Sequence, residues 1–315
     1  MSAQPQPVAL DVAIVSYRCR DLLRACLASL DEHAPGCPMS ICVVDNASGD
    51  GTVAMVALEF PHVMLIESEM NCGFAAATNA AIRPGSAPYL LVLNPDTEVR
   101  AGTLDRLLKL MQDRPEVGIA GCRLELKDGT FDNASRRSFP TPLGALAHFA
   151  GIGKRVTSGP LAQYRAPDVE RGPVDAVNGA FMLVRRAALD EVGLFDEGYW
   201  MYMEDLDLCY RFAQAGWTTW YEPSVSTLHV KGATAQRGRS VRLTVAFHYG
   251  MYRFYRKHYA GRRAVDAAIV AGIGVKLAAA LAAVGVTVVR RPRRRWARGG
   301  SSASSRRPET HRFGV

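Results

Sequence analysis

Apolar runs of strand length alternate with amphipathic stretches along the first part of this chain. DVAIVSY (Asp11 to Tyr17), ICVVD (Ile41 to Asp45), VMLIES (Val63 to Ser68) and YLLVL (Tyr89 to Leu93) are short and apolar, and the second and fourth break into turn-forming residues. That pattern predicts buried strands. Between them, helical spacing marks DLLRACLASL (Asp21 to Leu30), Thr52 to about Glu59, and TLDRLLKLMQD (Thr103 to about Asp113). NCGFAAATNAAI (Asn71 to Ile82) reads as a tight turn opening a small-residue helix. Strands alternating with helices predict a mostly parallel sheet covered on both faces, an α/β fold. From about Cys122 to Pro173 the pattern loosens, and Arg136, Arg137, Pro140, Pro142, Gly151 and Gly153 mark a long irregular connection. Such connections are commonly lids or binding loops. Order returns at VNGAFMLVRRAAL and continues to about Tyr221; within it Leu208, Cys209, Phe212 and Ala215 share one helical face, and Gly216 marks the stop.

Charge changes the picture once it is divided along the chain. The 315 residues carry a formal net charge of +8. Residues 253–315 hold 15 Lys or Arg against two acids, Asp266 and Glu309, whereas the remainder has 28 acids against 23 basic side chains. All the excess positive charge therefore belongs to a C-terminal extension, which calls for a polyanionic surface as partner. There AAIVAGIGVKLAAALAAVGVTVV (Ala267 to Val289) is apolar except for Lys276 and is followed by RRPRRR (Arg290 to Arg295). Its 23 residues are long enough to span a bilayer. A helix lying in the interface, with arginines on anionic headgroups, fits at least as well, and a packed helix pair is the plain alternative. Nucleic acid fits less well, because only Trp296 accompanies the basic cluster.

The expected organisation is an α/β domain over 8–250, a basic, apolar, membrane-associating helical extension over 251–298, and a disordered tail over 299–315. The leader MSAQPQP has no signal-peptide features. Seven scattered cysteines without a CxxC pair fit small buried hydrophobes in a reducing compartment. The expected location is the cytoplasm, peripheral on the inner face of the plasma membrane.

Candidate chemistry gathers where strands end. The run Tyr89 to Leu93 breaks into Asn94, Pro95 and Asp96. A carboxylate leaving an α/β sheet at such a point faces the ligand crevice, where it can hold a divalent cation against a phosphate. Asp45 ends another strand and is placed either to bond a nucleoside or to cap its own turn. Gly73 permits close backbone approach, and Asn79 offers an amide on the next helix or a packing bond. In MYMEDLDLCYRFAQAGW (Met201 to Trp217), Glu204 and Asp205 fall at a helix start, where the dipole favours an ionised carboxylate; N-capping explains them equally well locally. His229, after the strand-like Val225 to Leu228, is a further metal ligand if Asp96 shares its crevice. Phe195, Tyr199, Trp200 and Tyr202 crowd ahead of the acidic pair as core or as sugar-stacking faces. The chain contains neither GxGxxG nor GxxxxGK[ST].

Taken together, DVAIVSY, VVDNASGDGT, NCGFAAATNAAI, LLVLNPDTEV and the segment from Asn178 to Trp217 resemble inverting glycosyltransferases of family 2, and NPD with YMEDLDLCYR resembles their rhamnosyltransferase-like branch. The resemblance implies a GT-A fold, a Rossmann-like mixed, mostly parallel sheet flanked by helices. It implies a nucleotide-sugar donor and a lipid-linked saccharide acceptor, with dTDP-rhamnose as the expected donor. Ser16, Tyr17, Asp45, Gly73, Asn79, Asn94 and Asp96 would bind the donor, and Gly179, Trp200 and Tyr202 the acceptor. Asp205 would be the catalytic base, with Glu204 as its alternative. Asp96 matches the last Asp of the family's DxD motif, whose first position is Asn94 here; Mg²⁺ or Mn²⁺ would then sit on Asp96, His229 and the donor diphosphate. The rivals are a UDP-hexose or UDP-N-acetylhexosamine transferase of the same fold and a non-catalytic nucleotide-binding membrane scaffold.

Overall fold

The computed structural model describes residues 10–144, 170–231 and 240–290, with side chains of the last helix to residue 284. The leader, Gly151, Gly153, most of the RRPRRR cluster and the 299–315 tail lie outside the described residues. The apolar runs become strands β1 (Leu10–Ser16), β2 (Met39–Asp45), β3 (Met64–Glu67) and β4 (Tyr89–Leu93). The intervening stretches become α1 (Arg20–Glu32), α2 (Thr52–Glu59) and α3 (Phe74–Ile82). In α1 the helical spacing works as read: Leu23, Cys26, Leu27 and Leu30 are all buried against the sheet.

These four strands are parallel and lie in the order β3-β2-β1-β4. The chain crosses from one side of β1 to the other between β3 and β4, so the C-terminal ends of β1, β2 and β4 open onto a crevice at a topological switch point. Beyond β4 the sheet becomes mixed. A short β5 (Thr97–Val99), which the hydrophobic pattern does not announce, precedes α4 (Thr103–Asp113) and β6 (Val117–Glu125). Strand β6 runs on through Cys122, so order extends past the point where the pattern loosens. Arg136 and Arg137 form β7 (Arg136–Arg137), which pairs with β9 (Ala176–Val177), and β8 (Gly172–Val174) pairs with β11 (Thr218–His229). Strand β10 (Phe181–Arg185) lies antiparallel between β4 and β6. Two short helices complete the domain, α5 (Arg186–Val192) and α6 (Glu204–Gln214). Apolar clusters cover both faces of the sheet. Of the cysteines, Cys72 is exposed and Cys37 half-buried, so not all seven serve as core hydrophobes.

Two helices follow, α7 (Val241–His258) and α8 (Arg263–Arg290). Helix α7 crosses residue 250, the expected domain boundary, without interruption, because it is bound to the α/β body at its middle and at its C-terminal end. Gly250 lies against Met203 and the Tyr202 carbonyl, where a β-carbon would be only 3.0 Å from either. At the far end a buried carboxylate, Asp207 of α6, accepts hydrogen bonds from Arg211 Nε (2.8 Å), Tyr199 Oη (3.2 Å), Lys257 Nζ (3.0 Å) and His258 Nε2 (2.8 Å). Burial alone would raise this carboxyl, but the hydrogen bonds from His258 and Lys257 and the charge of Arg211 outweigh it and hold it well below the usual carboxylate range. Its stabilisation is therefore whole at neutral pH and is withdrawn only as the pH falls below the ordinary carboxylate range.

Removing Asp207 takes away the buried acceptor that Arg211, Lys257 and His258 share. Asp207→Ala is expected to lower stability by about 3–5 kcal/mol, read as a fall in denaturation midpoint at neutral pH. An unchanged midpoint would mean that the cluster does not join α7 to the domain.

Candidate active site

Two carboxylates stand where strands β2 and β4 end. Asp45, at the end of β2, is buried; its Oδ2 accepts the Ser48 amide at 3.0 Å, and its Oδ1 has no hydrogen-bond partner among the described residues. A buried acceptor left without a donor is uncommon. Beside it Asn46, which the sequence reading passed over, ties the turn after β2 to the turn before α3. Its Nδ2 donates to Asn71 Oδ1 (3.2 Å) and the Gly73 carbonyl (3.0 Å), and its Oδ1 accepts the Cys72 amide (3.0 Å). Gly73, at φ +94°, sits under Trp200, whose carbonyl accepts the Phe74 amide at 2.7 Å. A β-carbon at Gly73 would run into the Trp200 carbonyl and ring, so only glycine fits.

Asn79 is not presented to a ligand. Its Nδ2 donates to the Phe195 carbonyl and Glu197 Oε1, both at 2.9 Å, and its Oδ1 accepts the Phe195 amide at 3.0 Å. The whole amide is spent on holding the loop that leads to Trp200, which makes Asn79 an anchor rather than part of a donor pocket. Ser16 is likewise fully buried, its hydroxyl 3.4 Å from the Cys19 sulfur, so any donor contact there falls to the backbone or to the half-buried Tyr17.

The second carboxylate is Asp96. Strand β5 pairs with β11 so that Thr97 lies opposite His229, and the Val230 amide donates to the Asp96 carbonyl at 2.9 Å. This ladder brings the His229 Nε2 to 3.7 Å from Asp96 Oδ1. The other ring nitrogen, Nδ1, is 2.9 Å from Asp132 Oδ2. Asp132, which the sequence reading missed, also accepts from Lys231 Nζ (2.8 Å) and the Ala134 amide (3.0 Å). Burial would raise the Asp132 carboxyl, but hydrogen bonds from His229 and Lys231 overcome it and keep it well below the usual range. The Asp132 carboxylate on Nδ1 orients the ring with Nε2 towards Asp96, the kind of supporting contact that metal-binding histidines have. Among the described residues no three His, Cys, Asp or Glu side chains converge on one point. Asp96 and His229 would supply two ligands to a Mg²⁺ or Mn²⁺ ion, whose remaining oxygens would come from a diphosphate and water. Asn94 is half-buried, and its amide donates to the Ala180 carbonyl at 3.0 Å.

Asp205 and Glu204 open α6 after two consecutive left-handed residues, Tyr202 (φ +71°) and Met203 (φ +73°). Non-glycine residues in that region store strain and persist where neighbours hold them; here Phe247 packs edge-on to Tyr202 with ring centroids 6.0 Å apart, and Gly250 supports both. Asp205 Oδ2 accepts from Arg137 and from the Gly179 amide (3.0 Å), while Oδ1 accepts the Leu206 amide (2.8 Å). Both oxygens act as acceptors. Arg137, seen in the sequence only as part of an irregular stretch, is thus a close neighbour of the expected base. Glu204 differs. Burial, then the neighbouring Asp205 charge, pushes its carboxyl up to about 8, so it is protonated at neutral pH. Trp200 and Tyr202 are half-buried beside this pair, whereas Phe195 and Tyr199 belong to the core.

One turn joins these centres. The Ala180 carbonyl accepts the Asn94 amide, the Gly179 amide holds Asp205, and Asn178 donates its side-chain Nδ2 to the Ala134 carbonyl (3.3 Å), two residues from Asp132. The result is an Asp45 oxygen without a donor after β2, an Asp96–His229 pair after β4 and the buried Glu204–Asp205 pair, the last two tied to one turn.

Comparison with known proteins gives a family and a fold. The sequence profile described as Glycosyl transferase family 2 matches residues 11–193. N-acetylglucosaminyl-diphospho-decaprenol L-rhamnosyltransferase of Mycobacterium tuberculosis is 33% identical over 266 residues, which is 80% of this chain and 85% of that protein. Rhamnosyltransferase WbbL of Escherichia coli is 30% identical over 69% of this chain and 82% of its own length. Among solved structures, the mannosyltransferase PcManGT of Pyrobaculum calidifontis, in complex with GDP-Man and Mn²⁺, superposes with TM-score 0.54 at 17% identity, covering 91% of this chain and 82% of its own. GalNAc-T7 with UDP, GalNAc and Mn²⁺ gives TM-score 0.58 at 15% identity over 80% of this chain, which spans about half (48%) of that protein. At these identities the two structures establish the fold, a GT-A α/β fold.

The raised Glu204 carboxyl has a consequence for stability. The folded protein binds this proton more tightly than the unfolded chain, so stability falls as the pH rises from about 4.5 to about 8. Glu204→Gln removes that loss and is expected to raise stability at pH above 8 by on the order of 1–3 kcal/mol, with little change in acid. Parallel thermal melts across pH check this; a variant no more stable than the parent in alkali would show that Glu204 is not held neutral.

Proposed function

The chain belongs to glycosyl transferase family 2, and we propose that it transfers a deoxyhexose, L-rhamnose from dTDP-rhamnose, to a lipid-linked saccharide in cell-wall or O-antigen polysaccharide synthesis. The chain is a glycosyltransferase of the rhamnosyltransferase-like type. The donor base and the inverting course are the finer reading; the names of the two rhamnosyltransferase relatives support the sugar, and the first of those names supports an N-acetylglucosaminyl-diphospho-polyprenol acceptor. The observation that carries the proposal is the single turn, Asn178 to Ala180, which sets the Asp96–His229 pair and Asp205 at fixed places in one crevice.

In this reading the unpartnered Asp45 oxygen accepts hydrogen bonds from the nucleoside, and Gly73 lets the backbone approach the donor. Asp96 and His229 face the diphosphate, with Asp132 fixing the imidazole. A divalent cation held there would offset the charge that grows on the leaving diphosphate. Trp200 and Tyr202 offer ring faces to the acceptor sugar. Asp205 takes the proton of the acceptor hydroxyl as its oxygen bonds to the anomeric carbon, and the bond to the diphosphate oxygen breaks on the opposite side, inverting the configuration. The incoming hydroxyl must compete with Arg137 for the Asp205 Oδ2. Glu204, protonated, adds no second negative charge beside the base. The basic C-terminal extension places the enzyme on the cytoplasmic face of an anionic membrane, where such an acceptor is found.

Incubation with dTDP-rhamnose, UDP-glucose, UDP-galactose and UDP-N-acetylglucosamine, each with a polyprenyl-diphosphate-linked N-acetylglucosamine, tests the substrate. Transfer from dTDP-rhamnose with inverted configuration is expected; preference for a UDP-sugar would overturn the donor, and binding without transfer or hydrolysis would favour a nucleotide-binding scaffold. Asp132→Ala is expected to weaken Mn²⁺ affinity in the presence of dTDP by roughly 10–100-fold through loss of imidazole orientation, measured by calorimetric titration. Equal affinities would remove His229 from the metal site.

A further inference from the structure

Helix α7 carries a face that the rest of the described structure leaves bare. Val241, Val245, Tyr249 and Tyr252 are 56%, 41%, 48% and 38% exposed. At about 100° per residue these four fall, with Arg242 and Arg256, within an arc of roughly 100°. The inward side of the helix is buried through Thr244, His248, Phe254 and Tyr255. An exposed helix face on a water-soluble body is ordinarily charged or polar, and this one is valine and tyrosine edged by arginine.

Three observations identify what covers it. Helix α7 contains no acidic residue, and four of its 18 residues are Arg or Lys. Arg253 and Lys257 turn inward to Asp196, whereas Arg242 borders the apolar stripe and Arg256 lies within it, one turn past Tyr252. The next element has the same need: α8 packs on Tyr255 through Ile269 and Ile273, yet Val270 and Val275 stand 37% and 69% exposed on a helix apolar and long enough to cross a membrane. The sequence then adds five arginines between residues 291 and 298. Apolar stem, tyrosine belt and arginine edge, with no acid, complement a bilayer interface bearing anionic headgroups.

We infer that α7 rests on an anionic lipid surface through Val241, Val245, Tyr249 and Tyr252, and that this contact sets the mouth of the active site at the membrane. The inference deepens the proposed membrane association and rests on that reading. Its consequence for the reaction lies on the adjoining side of the same helix. The Arg242 guanidinium sits 3.9 Å above the Trp200 ring, Phe247 packs on Tyr202, and Gly250 supports the strained turn that delivers Glu204 and Asp205. The helix that meets the lipid is therefore the helix that braces the acceptor end of the crevice. A lipid-linked acceptor can reach that end with its chain still in the bilayer.

The test uses the full chain and sedimentation with large vesicles of phosphatidylcholine, with and without phosphatidylglycerol. The parent is expected to pellet with the anionic vesicles. Val245→Glu combined with Tyr249→Glu is expected to weaken that binding by roughly tenfold or more, since two apolar contacts are lost and two like charges gained. Binding of dTDP should be unchanged in the variant, which separates failure of this inference from failure of the donor reading. Arg256→Glu, on the same face, is the second variant should the first fold poorly. Undiminished pelleting of the variants would overturn the inference and leave α8 as the sole anchor. A parent that ignores phosphatidylglycerol would overturn it, as would a parent dimer that the same variants dissociate, which would give the face to a second copy of the chain.

Discussion

The Gly179 amide, donated at 3.0 Å to the Asp205 carboxylate, is the contact on which the rest of the site depends. Asp205 alone belongs to α6, and Asp96 to a separate turn beyond β4. They acquire a fixed relation because one three-residue turn holds the first through the Gly179 amide and the Asn94 backbone through the Ala180 carbonyl. That turn is itself short and buried because β10, which follows at once, is wedged between β4 and β6. A crevice at the carboxyl edge of a parallel sheet needs such a cross-member, since strand ends by themselves fix residues only within their own ladder.

Electrostatics then divides the acidic pair. Glu204 and Asp205 are neighbours in sequence and both are buried, yet three donors converge on Asp205 while Glu204 Oε2 has no hydrogen-bond partner among the described residues. Two adjacent ionised carboxylates in that setting would repel, and the proton is held by Glu204, the carboxyl with fewer donors. Environment, not residue type, makes one an acceptor and the other a neutral acid. The strain at Tyr202 and Met203 belongs to the same arrangement. It turns the chain sharply enough to start α6 at the pair, and α7 holds it there from behind.

Much of this was legible along the chain because it is local. Asp45 and Asp96 follow apolar strand runs, and Glu204 and Asp205 open a helix whose buried face is written in Leu208, Cys209 and Phe212. What stayed hidden is set by partners distant in sequence. Asp132 meets His229 across 97 positions, Arg137 meets Asp205 across 68, and Asn79 spends its amide on Phe195 across 116. No periodicity reports such pairings, so Asn79 was assigned to a ligand and Asp132 to nothing. The expected boundary at residue 250 falls inside α7: charge begins to accumulate near residue 253, within a helix that is tied to the body through Asp207.

The division of labour between Glu204 and Asp205 is the claim on which the chemistry stands. Initial rates of sugar transfer for Asp205→Asn and Glu204→Gln, measured beside nucleotide binding for each, test it most directly. A loss of roughly 10²–10⁴-fold for Asp205→Asn, a smaller loss for Glu204→Gln and unchanged nucleotide affinity in both would agree with Asp205 as the base. Near-normal turnover in Asp205→Asn, or the greater loss in Glu204→Gln, would contradict it.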